Sequence, residues 1–367
     1  MQYFVYTTCG TSTFTNPARK NTELHDLIIK NSNVRDESEL ETEAKEKINA
    51  HYESLIEEWQ NYSVAEARKR SAELNCLLCW QEKNNIPTSD CFCYLLHTDT
   101  VLGGYAASLV EEWLKTNGYT VLPPERVPYL STSSHDAFEK GLASLAEWTF
   151  GYIPAADQRT ATVKYIFNVA GGFKAVSGFM QILGQFLADE TIYLFEGRNE
   201  ILSVPKLPVR WEQIDTIRDN IDDYRRVSIG LPPQNPEKLN SLWVREGAFT
   251  PWGQIAWENA KQVLYGEKVY PILYEKIKEG EAFRNTLSGL TKDQIAIVNE
   301  RIDDLCRYIK GGKKQPLRRL DYKKVQGGGP YEYECDVWDG NSKRFFCTDK
   351  DGIVTIDRFA DAMHKNR

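Results

Sequence analysis

Two loops contain residue types that bind phosphate, and each follows a short apolar segment. Residues 8–12 combine a glycine with threonine and serine hydroxyls, and residues 168–174 contain two adjacent glycines and a lysine. A glycine turn at a helix N-terminus offers free backbone N–H groups at the positive end of the helix dipole, which attract anions. The alternative role for a Gly-Gly turn is close packing of a helix against a strand. Neither G-x-G-x-x-G nor G-x-x-x-x-G-K-[ST] occurs, so we expect neither a dinucleotide cofactor nor a Walker ATPase.

A second set of candidate residues is basic and lies near the C-terminus. Residues 310–324 hold seven Lys and Arg against one Asp, and Arg344 and His364 follow. RNA cleavage through the 2′-hydroxyl needs a base, cations at the phosphate and an acid for the leaving 5′-oxygen. The guanidinium of Arg344 can contact two phosphate oxygens, and an imidazole such as that of His364 can donate a proton near neutral pH. The alternative is a set of exposed charges at a sheet edge.

The charge is distributed unevenly along the 367 residues. The net charge is −7, yet residues 268–367 carry +4, which leaves −11 on the rest. This distribution excludes a protein that coats nucleic acid along its whole length and favours contact through the C-terminal part alone. Hydrophobic residues make up 41% and aromatic residues 12%, enough for well-packed cores.

Targeting signals are not evident in the sequence. Its apolar stretches are far shorter than the roughly 18 residues of a membrane span, so we expect no membrane contact. The N-terminus has no basic segment followed by a small-residue cleavage site, and eight cysteines without an export signal indicate free thiols in a reducing cytoplasm.

Strands and helices alternate over residues 1–205, which predicts an α/β domain with a mostly parallel sheet. A long charged helical stretch is predicted over 35–83, and further helices over 104–116, 134–150 and 173–187. Strands are predicted at 3–7, 91–96, 119–122, 163–168 and 191–195, with 200–204 as a possible neighbour of the last. Both phosphate-type loops therefore lie where a strand ends and a helix begins, the position of the ligand crevice in open α/β sheets.

Two smaller domains are predicted after this one. Residues 206–266 contain two helical stretches, 211–227 and 254–264, with a short β segment between them, in a winged-helix layout. Residues 267–367 predict an α+β domain. Its elements are a strand at 269–276, an amphipathic helix at 291–309 capped by Thr291, and strands at 331–337, 344–348 and 353–356.

Three motifs together resemble the CARF sensor domain of CRISPR-associated effectors over residues 1–205. They are Thr8-Cys-Gly-Thr-Ser, His97-Thr-Asp-Thr and Asn168-Val-Ala-Gly-Gly-Phe-Lys-Ala-Val-Ser-Gly, of which the last is the most specific. The resemblance implies a Rossmann-like fold and a homodimer that binds a cyclic oligoadenylate across its two-fold axis. The ligand contacts that it implies are Thr8, Gly10, Thr11, Ser12, Asn168, Gly171, Gly172 and Lys174.

The order of elements in residues 267–367 resembles the RelE family of ribosome-dependent messenger-RNA interferases. This resemblance implies a metal-independent endoribonuclease that uses Lys, Arg and Tyr or His. The corresponding candidates for catalysis are Arg318, Arg319, Lys323, Lys324, Arg344 and His364, with Tyr331 or Tyr333 to stack a base or share in proton transfer.

A sensor, a winged helix and a RelE-like end together resemble the CRISPR-associated mRNA interferases that cyclic tetra-adenylate switches on. We therefore expect a cytoplasmic homodimer that needs no cofactor or metal. Cyclic tetra-adenylate is the expected allosteric activator, the ribosome and mRNA are the expected partners, and cleavage is expected in the ribosomal A site. A ribosome that holds the message in place would compensate for an incomplete site on the protein.

Alternatives remain open from the sequence. The chain could be a ligand-controlled transcription regulator that uses its winged helix, or a ring nuclease that degrades the cyclic ligand with Thr11 and Ser12. Residues 358–364 have the Arg-x4-6-His form of HEPN ribonucleases, but their strand-rich surroundings disfavour that helical fold. Four cysteines at 76, 79, 91 and 93 have the number of a zinc site, although their predicted helix and strand positions favour buried thiols.

Overall fold

A mostly parallel sheet forms the centre of the first part of the chain, Met1–Arg210. This part is one of two compact units, and the other is Trp211–Arg367. The computed structural model describes residues 1–154, 159–195, 200–205, 214–313, 320–325, 330–338 and 343–361. In the first unit the strand order is β3-β2-β1-β5-β6-β7, and β4 also pairs with β2. These strands are β1 (Gln2–Thr8), β2 (Cys91–His97), β3 (Thr120–Val121), β4 (Glu125–Arg126), β5 (Val163–Asn168), β6 (Glu190–Phe195) and β7 (Glu200–Val204).

Every pairing in this sheet is parallel except that of β6 with β7. The predicted α/β class with a mostly parallel sheet is therefore confirmed, and the arrangement is compatible with a Rossmann-like domain. Because parallel strands end at the same edge, the segments that follow β1, β2 and β5 lie along one side of the unit.

The helices of the first unit correct one prediction. The long helix expected over 35–83 is three helices, because Ser63 and Ser71 start new ones: their side chains accept hydrogen bonds from the backbone N–H groups of Glu66 and Leu74. The helices are α1 (Ser12–Ala18), α2 (Thr22–Lys30), α3 (Thr42–Gln60), α4 (Val64–Arg70), α5 (Ala72–Asn84), α6 (Val101–Thr116), α7 (His135–Tyr152) and α8 (Lys174–Leu187). No helix in the described residues is both long and apolar enough to cross a membrane.

The two faces of the sheet bury different side chains. On one face Val5, Cys93 and Leu95 belong to a large core that also includes residues of α1 to α6. On the other face the ring of Tyr6 stacks on that of Tyr94, with centroids 4.7 Å apart, and meets Trp148 of α7 edge-on at 6.0 Å. This alternation is the two-residue period of a strand covered on both faces.

The second unit begins with three helices and a short hairpin. The turn between the hairpin strands uses Glu246 and Gly247, both with positive φ (52° and 76°), as a two-residue turn requires. Helices therefore flank a hairpin in the order predicted for 206–266, but the single helix predicted over 211–227 is two helices that meet at Asn220. The elements are α9 (Ile214–Asp219), α10 (Ile221–Ser228), β8 (Val244–Arg245), β9 (Ala248–Phe249) and α11 (Pro251–Leu264).

A five-stranded sheet and one long helix complete the second unit. The strand order is β10-β14-β13-β12-β11, antiparallel except for the parallel pair β10 and β14. The helix begins, as predicted, at the cap residue Thr291, which forms a capping box with Gln294. The elements are β10 (Ile277–Glu279), α12 (Lys292–Lys310), β11 (Lys323–Lys324), β12 (Tyr333–Asp336), β13 (Lys343–Lys350) and β14 (Ile353–Asp361).

The strand predicted at 269–276 is wrong, since the strand in this region is β10. The backbone before it is held by a side chain instead of a neighbouring strand. Tyr270 N–H donates to Asn299 Oδ1 over 2.8 Å, and Asn299 Nδ2 donates to Lys268 O over 2.8 Å. The apolar segment before β10 therefore makes backbone hydrogen bonds with a side chain and does not form a strand of the sheet.

A buried ion pair connects the helices at the start of this unit with α12. Arg225 of α10 is fully buried, and its guanidinium donates to both carboxylate oxygens of Asp303, over 2.6 and 3.2 Å. The hydroxyl of Tyr265 also donates to Asp303. The segments predicted as two domains on either side of residue 266 thus share a buried polar network within one compact unit.

Candidate functional site

The two phosphate-type loops meet at the carboxyl edge of the parallel sheet. Strands β1 and β5 are neighbours, with Thr7 opposite Asn168. Just beyond them Thr8 Oγ1 donates a hydrogen bond to Gly171 O over 2.8 Å. Residues that are 163 positions apart in the sequence therefore contact one another, as the strand-end argument leads one to expect.

Glycines allow the loops to approach this closely. A Cβ added to Gly10 would lie 3.0 Å from the backbone nitrogen of Gly172, and Gly172 itself has a φ of +86° that favours glycine. The close-packing role that the sequence left open for these glycines is thus present in the structure. This packing role is compatible with anion binding, because glycines have no side chains that would cover the backbone N–H groups of the loops.

Glu73 is a residue of this site that the sequence did not indicate. It lies in the first turn of α5 and is 1% exposed. Its Oε1 accepts a hydrogen bond from Gly10 N–H over 2.9 Å, and its Oε2 accepts one from Ser71 Oγ over 2.7 Å. A Cβ added to Gly171 would lie only 2.1 Å from Glu73 Oε1, so the glycine at 171 makes room for this carboxylate.

The second loop also contacts α5 through its first residue. Asn168 is fully buried, and its Nδ2 donates to the backbone oxygen of Glu73 over 2.9 Å. Asn168 and Thr8 are both predicted ligand contacts, and both side chains are buried. Asn168 therefore holds the second loop against α5.

The side chains of Lys174 and Ser12 are exposed to solvent at this edge of the sheet. Lys174 begins α8, is exposed, and forms no ion pair with any residue in the described part of the chain. Thr11 caps α1 without a side-chain hydrogen bond to it, which leaves that hydroxyl available. The N-terminus of α8 and the Lys174 ammonium together make this edge attractive to an anion.

The segment after β2 borders the same edge. The ring of His97 is buried, with Nδ1 2.8 Å from Thr98 O, and burial lowers its pKa from the usual value. Asp99 is paired with Arg35 and, over 2.5 Å, with Arg126. A narrow cleft lies between this segment and the second loop, lined in part by Thr8, His97, Gly172 and Phe173, and its enclosed part has room for about one water molecule.

The predicted catalytic residues of the second unit are only partly described. Arg318, Arg319 and His364 lie outside the described residues. Lys323 and Lys324 form β11 at the edge of the sheet, where Lys323 pairs with Asp321 and Lys324 is exposed.

Arg344 lies on β13, directly opposite Asp336 of β12. Its Nε is 3.0 Å from Asp336 Oδ1, and its Nη1 pairs with Glu334. The side chain is 22% exposed. The guanidinium that the sequence assigned to a phosphate is therefore bound to two carboxylates in this state, and the fork geometry of arginine suits either anion.

An aromatic cluster with a lysine lies beside β11, and it contains Tyr333, one of the two tyrosines that the sequence offered for base stacking. The rings of Tyr322 and Tyr333 stack with centroids 5.0 Å apart, and Lys313 Nζ lies 5.4 and 5.2 Å from them. Lys313 also pairs with Asp349 over 2.7 Å. Burial raises the pKa of Tyr322 well above its usual value. A surface of this composition can hold a base by stacking and a phosphate by charge.

The four cysteines at 76, 79, 91 and 93 are buried thiols, as predicted. Burial raises the pKa of Cys91 to about 12. The Sγ of Cys91 accepts a hydrogen bond from Gln81 Nε2 over 3.3 Å. A thiol with a raised pKa stays protonated at neutral pH.

A comparison with known protein families gives a match within the first unit. Residues 68–207 match the family described as CRISPR-associated protein (Cas_APE2256), a span that includes Glu73, the segment after β2 and the second loop. No curated protein matches the chain significantly. The family match supports a CRISPR-associated protein of a CARF-containing family.

Proposed function

We propose that this protein is an auxiliary effector of CRISPR defence, a homodimer in the cytoplasm. Its first unit binds cyclic tetra-adenylate. Its second unit is a metal-independent endoribonuclease that cleaves mRNA in the ribosomal A site when the ligand is bound. Cleavage of messages on the ribosome would arrest translation in the infected cell.

The observation that carries the sensor half is the meeting of two glycine loops at one sheet edge. Thr8 and Gly171 join the loops, and α8 adds its N-terminus and Lys174. A cyclic oligoadenylate is a ring of phosphates with internal symmetry, and two copies of this edge across a two-fold axis would offer it matching contacts. The family match covers the second loop and supports the same role.

The effector half is supported by the order of elements in the second unit and by its cations. Helix α12 precedes an antiparallel sheet, with Lys323 and Lys324 on its edge strand and Arg344 two strands away. Arg344 must leave Glu334 or Asp336 before its guanidinium can hold a phosphate. Such a pairing suits a nuclease that is inactive until ligand binding favours another state, which the ligand can do only by binding that state more tightly.

The test uses ribosomes stalled with a defined codon in the A site. The protein is added with and without cyclic tetra-adenylate, and the ends of the mRNA are mapped. We expect cuts at the A site that require the ligand and are absent on naked RNA. Cuts on naked RNA would instead indicate a free-standing ribonuclease, and absence of cuts with ligand bound would refute the RelE-like assignment.

Arg344→Ala is the first variant to compare in this assay. Loss of a cation that stabilises a phosphoryl transition state lowers the rate by about 100-fold or more. Lys343→Ala is the matched control, since Lys343 is the adjacent cation on β13 and pairs with Asp361 instead. Equal activity of the two variants would remove Arg344 from the catalytic residues.

A transcription regulator is the second candidate, because the β8–β9 hairpin lies between α10 and α11 as a wing would. Binding of the protein to duplex promoter DNA in a gel-shift assay, without any RNA cleavage, would favour this function.

A further inference from the structure

A buried carboxylate lies against the two loops that are proposed to bind a polyanion. Glu73 is 1% exposed and contacts both loops: it accepts the N–H of Gly10, and it occupies the space that a side chain at 171 would need. The loops contribute no other acidic side chain, since residues 8–12 and 168–174 contain none.

The charge of Glu73 is stabilised without a cation. Its hydrogen-bond donors are the Gly10 N–H and the Ser71 hydroxyl, and its position in the first turn of α5 places it at the positive end of that helix. No Lys or Arg forms an ion pair with Glu73 in the part of the chain that the structure describes. A phosphate arriving at the loops therefore meets, besides the Lys174 ammonium that attracts it, a carboxylate that is not bound in an ion pair.

The position of Glu73 also connects the loops to the rest of the unit. Helix α5 packs against β5, β6 and β7. The Gly10 N–H donates a hydrogen bond to Glu73, and it belongs to the loop that is proposed to bind the ligand. A ligand that draws this N–H towards itself has to weaken the contact between the first loop and α5.

We propose that Glu73 is a positioning residue that sets the affinity of the ligand site: it clamps the two loops in the ligand-free protein and opposes an anionic ligand by its charge. This inference rests on the proposed sensor function and concerns the regulation of that site. The consequence is a lower affinity for any anionic ligand, which the contacts of its phosphates and bases with the loops must outweigh.

Glu73→Gln tests the proposal in the full-length protein. Glutamine keeps the length and an oxygen that can accept the Gly10 N–H, but removes the charge. At about 10 Å and an effective dielectric constant near 20, the repulsion between two unit charges corresponds to roughly a tenfold change in Kd. We therefore expect Glu73→Gln to bind cyclic tetra-adenylate at least about tenfold more tightly than the wild type.

Glu82→Gln is the matched control. Glu82 lies on the same helix, its side chain is 66% exposed, and it is about 13 Å further along the helix axis. The same loss of charge there should change the Kd less than about twofold. Thermal unfolding of each variant shows whether it is folded, and Glu73→Met is the second variant if glutamine is not tolerated.

The outcomes separate this inference from the proposed function. Wild-type protein that binds no cyclic oligoadenylate would overturn the sensor function itself. Wild-type binding with an unchanged or weaker Kd in folded Glu73→Gln would overturn the inference alone, because the inference requires a gain in affinity when the charge is removed. Failure of both Glu73 variants to fold would also overturn it, since Glu73 would then serve the fold only.

Discussion

Gly171→Ala is the substitution whose effect on the site follows most directly from the geometry. The new methyl group would lie 2.1 Å from Oε1 of Glu73 and 2.4 Å from both its Cδ and its Cγ. Ordinary contacts of a methyl group are longer than 3.4 Å, so the glutamate or the loop must shift by more than about 1 Å. Neither can do so freely, because Glu73 is 1% exposed and holds two hydrogen bonds.

The expected cost is about 2.5 to 6 kcal/mol in the free energy of unfolding of the first unit. Overpacking a tight site costs about 1 to 3 kcal/mol, and disturbing hydrogen bonds to an ionised group adds about 1.5 to 3 kcal/mol. A typical domain is stable by about 5 to 15 kcal/mol, so the variant should fold but with much lower stability.

Hydrogen exchange followed by mass spectrometry measures this cost in the intact chain, because amides of β1 and β5 report on the first unit alone. Gly178→Ala is the control. Gly178 lies in α8, in the same part of the chain, and a Cβ there would meet no atom within 4 Å. Since alanine is the better helix former, this control should stabilise the unit by about 0.5 to 1 kcal/mol.

A double variant decides whether Glu73 is the cause. Glu73→Ala alone leaves the Gly10 N–H without its acceptor, but it also frees the space that the methyl group at 171 needs. The double variant Gly171→Ala/Glu73→Ala should therefore cost about 1 to 3 kcal/mol less than the two single costs together. Additive costs, or a cost below about 0.5 kcal/mol for Gly171→Ala itself, would refute the reasoning.

Two further predictions concern buried ionisable groups. Asp303→Ala should destabilise the second unit by about 3 to 5 kcal/mol, because it leaves the fully buried Arg225 with only the more distant and exposed carboxylate of Asp222, 3.7 Å away, whereas Arg225→Met/Asp303→Leu should stay much closer to wild type; urea denaturation of the full chain measures both. His97 has a lowered pKa in the folded protein, so protonation below about pH 6.5 favours the unfolded chain, and stability should fall as the pH falls, by up to about 1.4 kcal/mol per pH unit. His97→Gln should lack this part of the slope below about pH 6.5, and equal slopes would contradict the assignment.

The alternation of strands and helices could be predicted because it depends on local periodicity. The strand at Val163–Asn168 and the cap at Thr291 follow from residue types within one element. The errors at 35–83 and 269–276 have causes that a local pattern does not contain. The helical pattern of 35–83 continues through the serines that divide it, and the apolar run at 269–276 is bound by Asn299, about thirty residues further along the chain.

The candidate site shows the same division between local and distant information. The two loops could be predicted to meet, since each follows a strand and parallel strands end at one edge. Glu73 could not, because it lies 63 residues from Gly10 in a stretch rich in other glutamates, and only the packing of α5 selects it. The pairing of Arg344 with Asp336 depends on the strand register, which the sequence leaves undetermined.

All eight cysteines are buried, so the alkylation rate of each thiol reports how often the surrounding unit opens. Cys9, Cys76, Cys79, Cys91 and Cys93 belong to the first unit, and Cys306, Cys335 and Cys347 to the second. An alkylating reagent can reach such thiols only while the surrounding structure is open. Cys9 lies in the loop of residues 8–12, and Cys93 lies in the middle of β2. A comparison of their alkylation rates therefore measures the opening of the loop separately from the opening of the sheet.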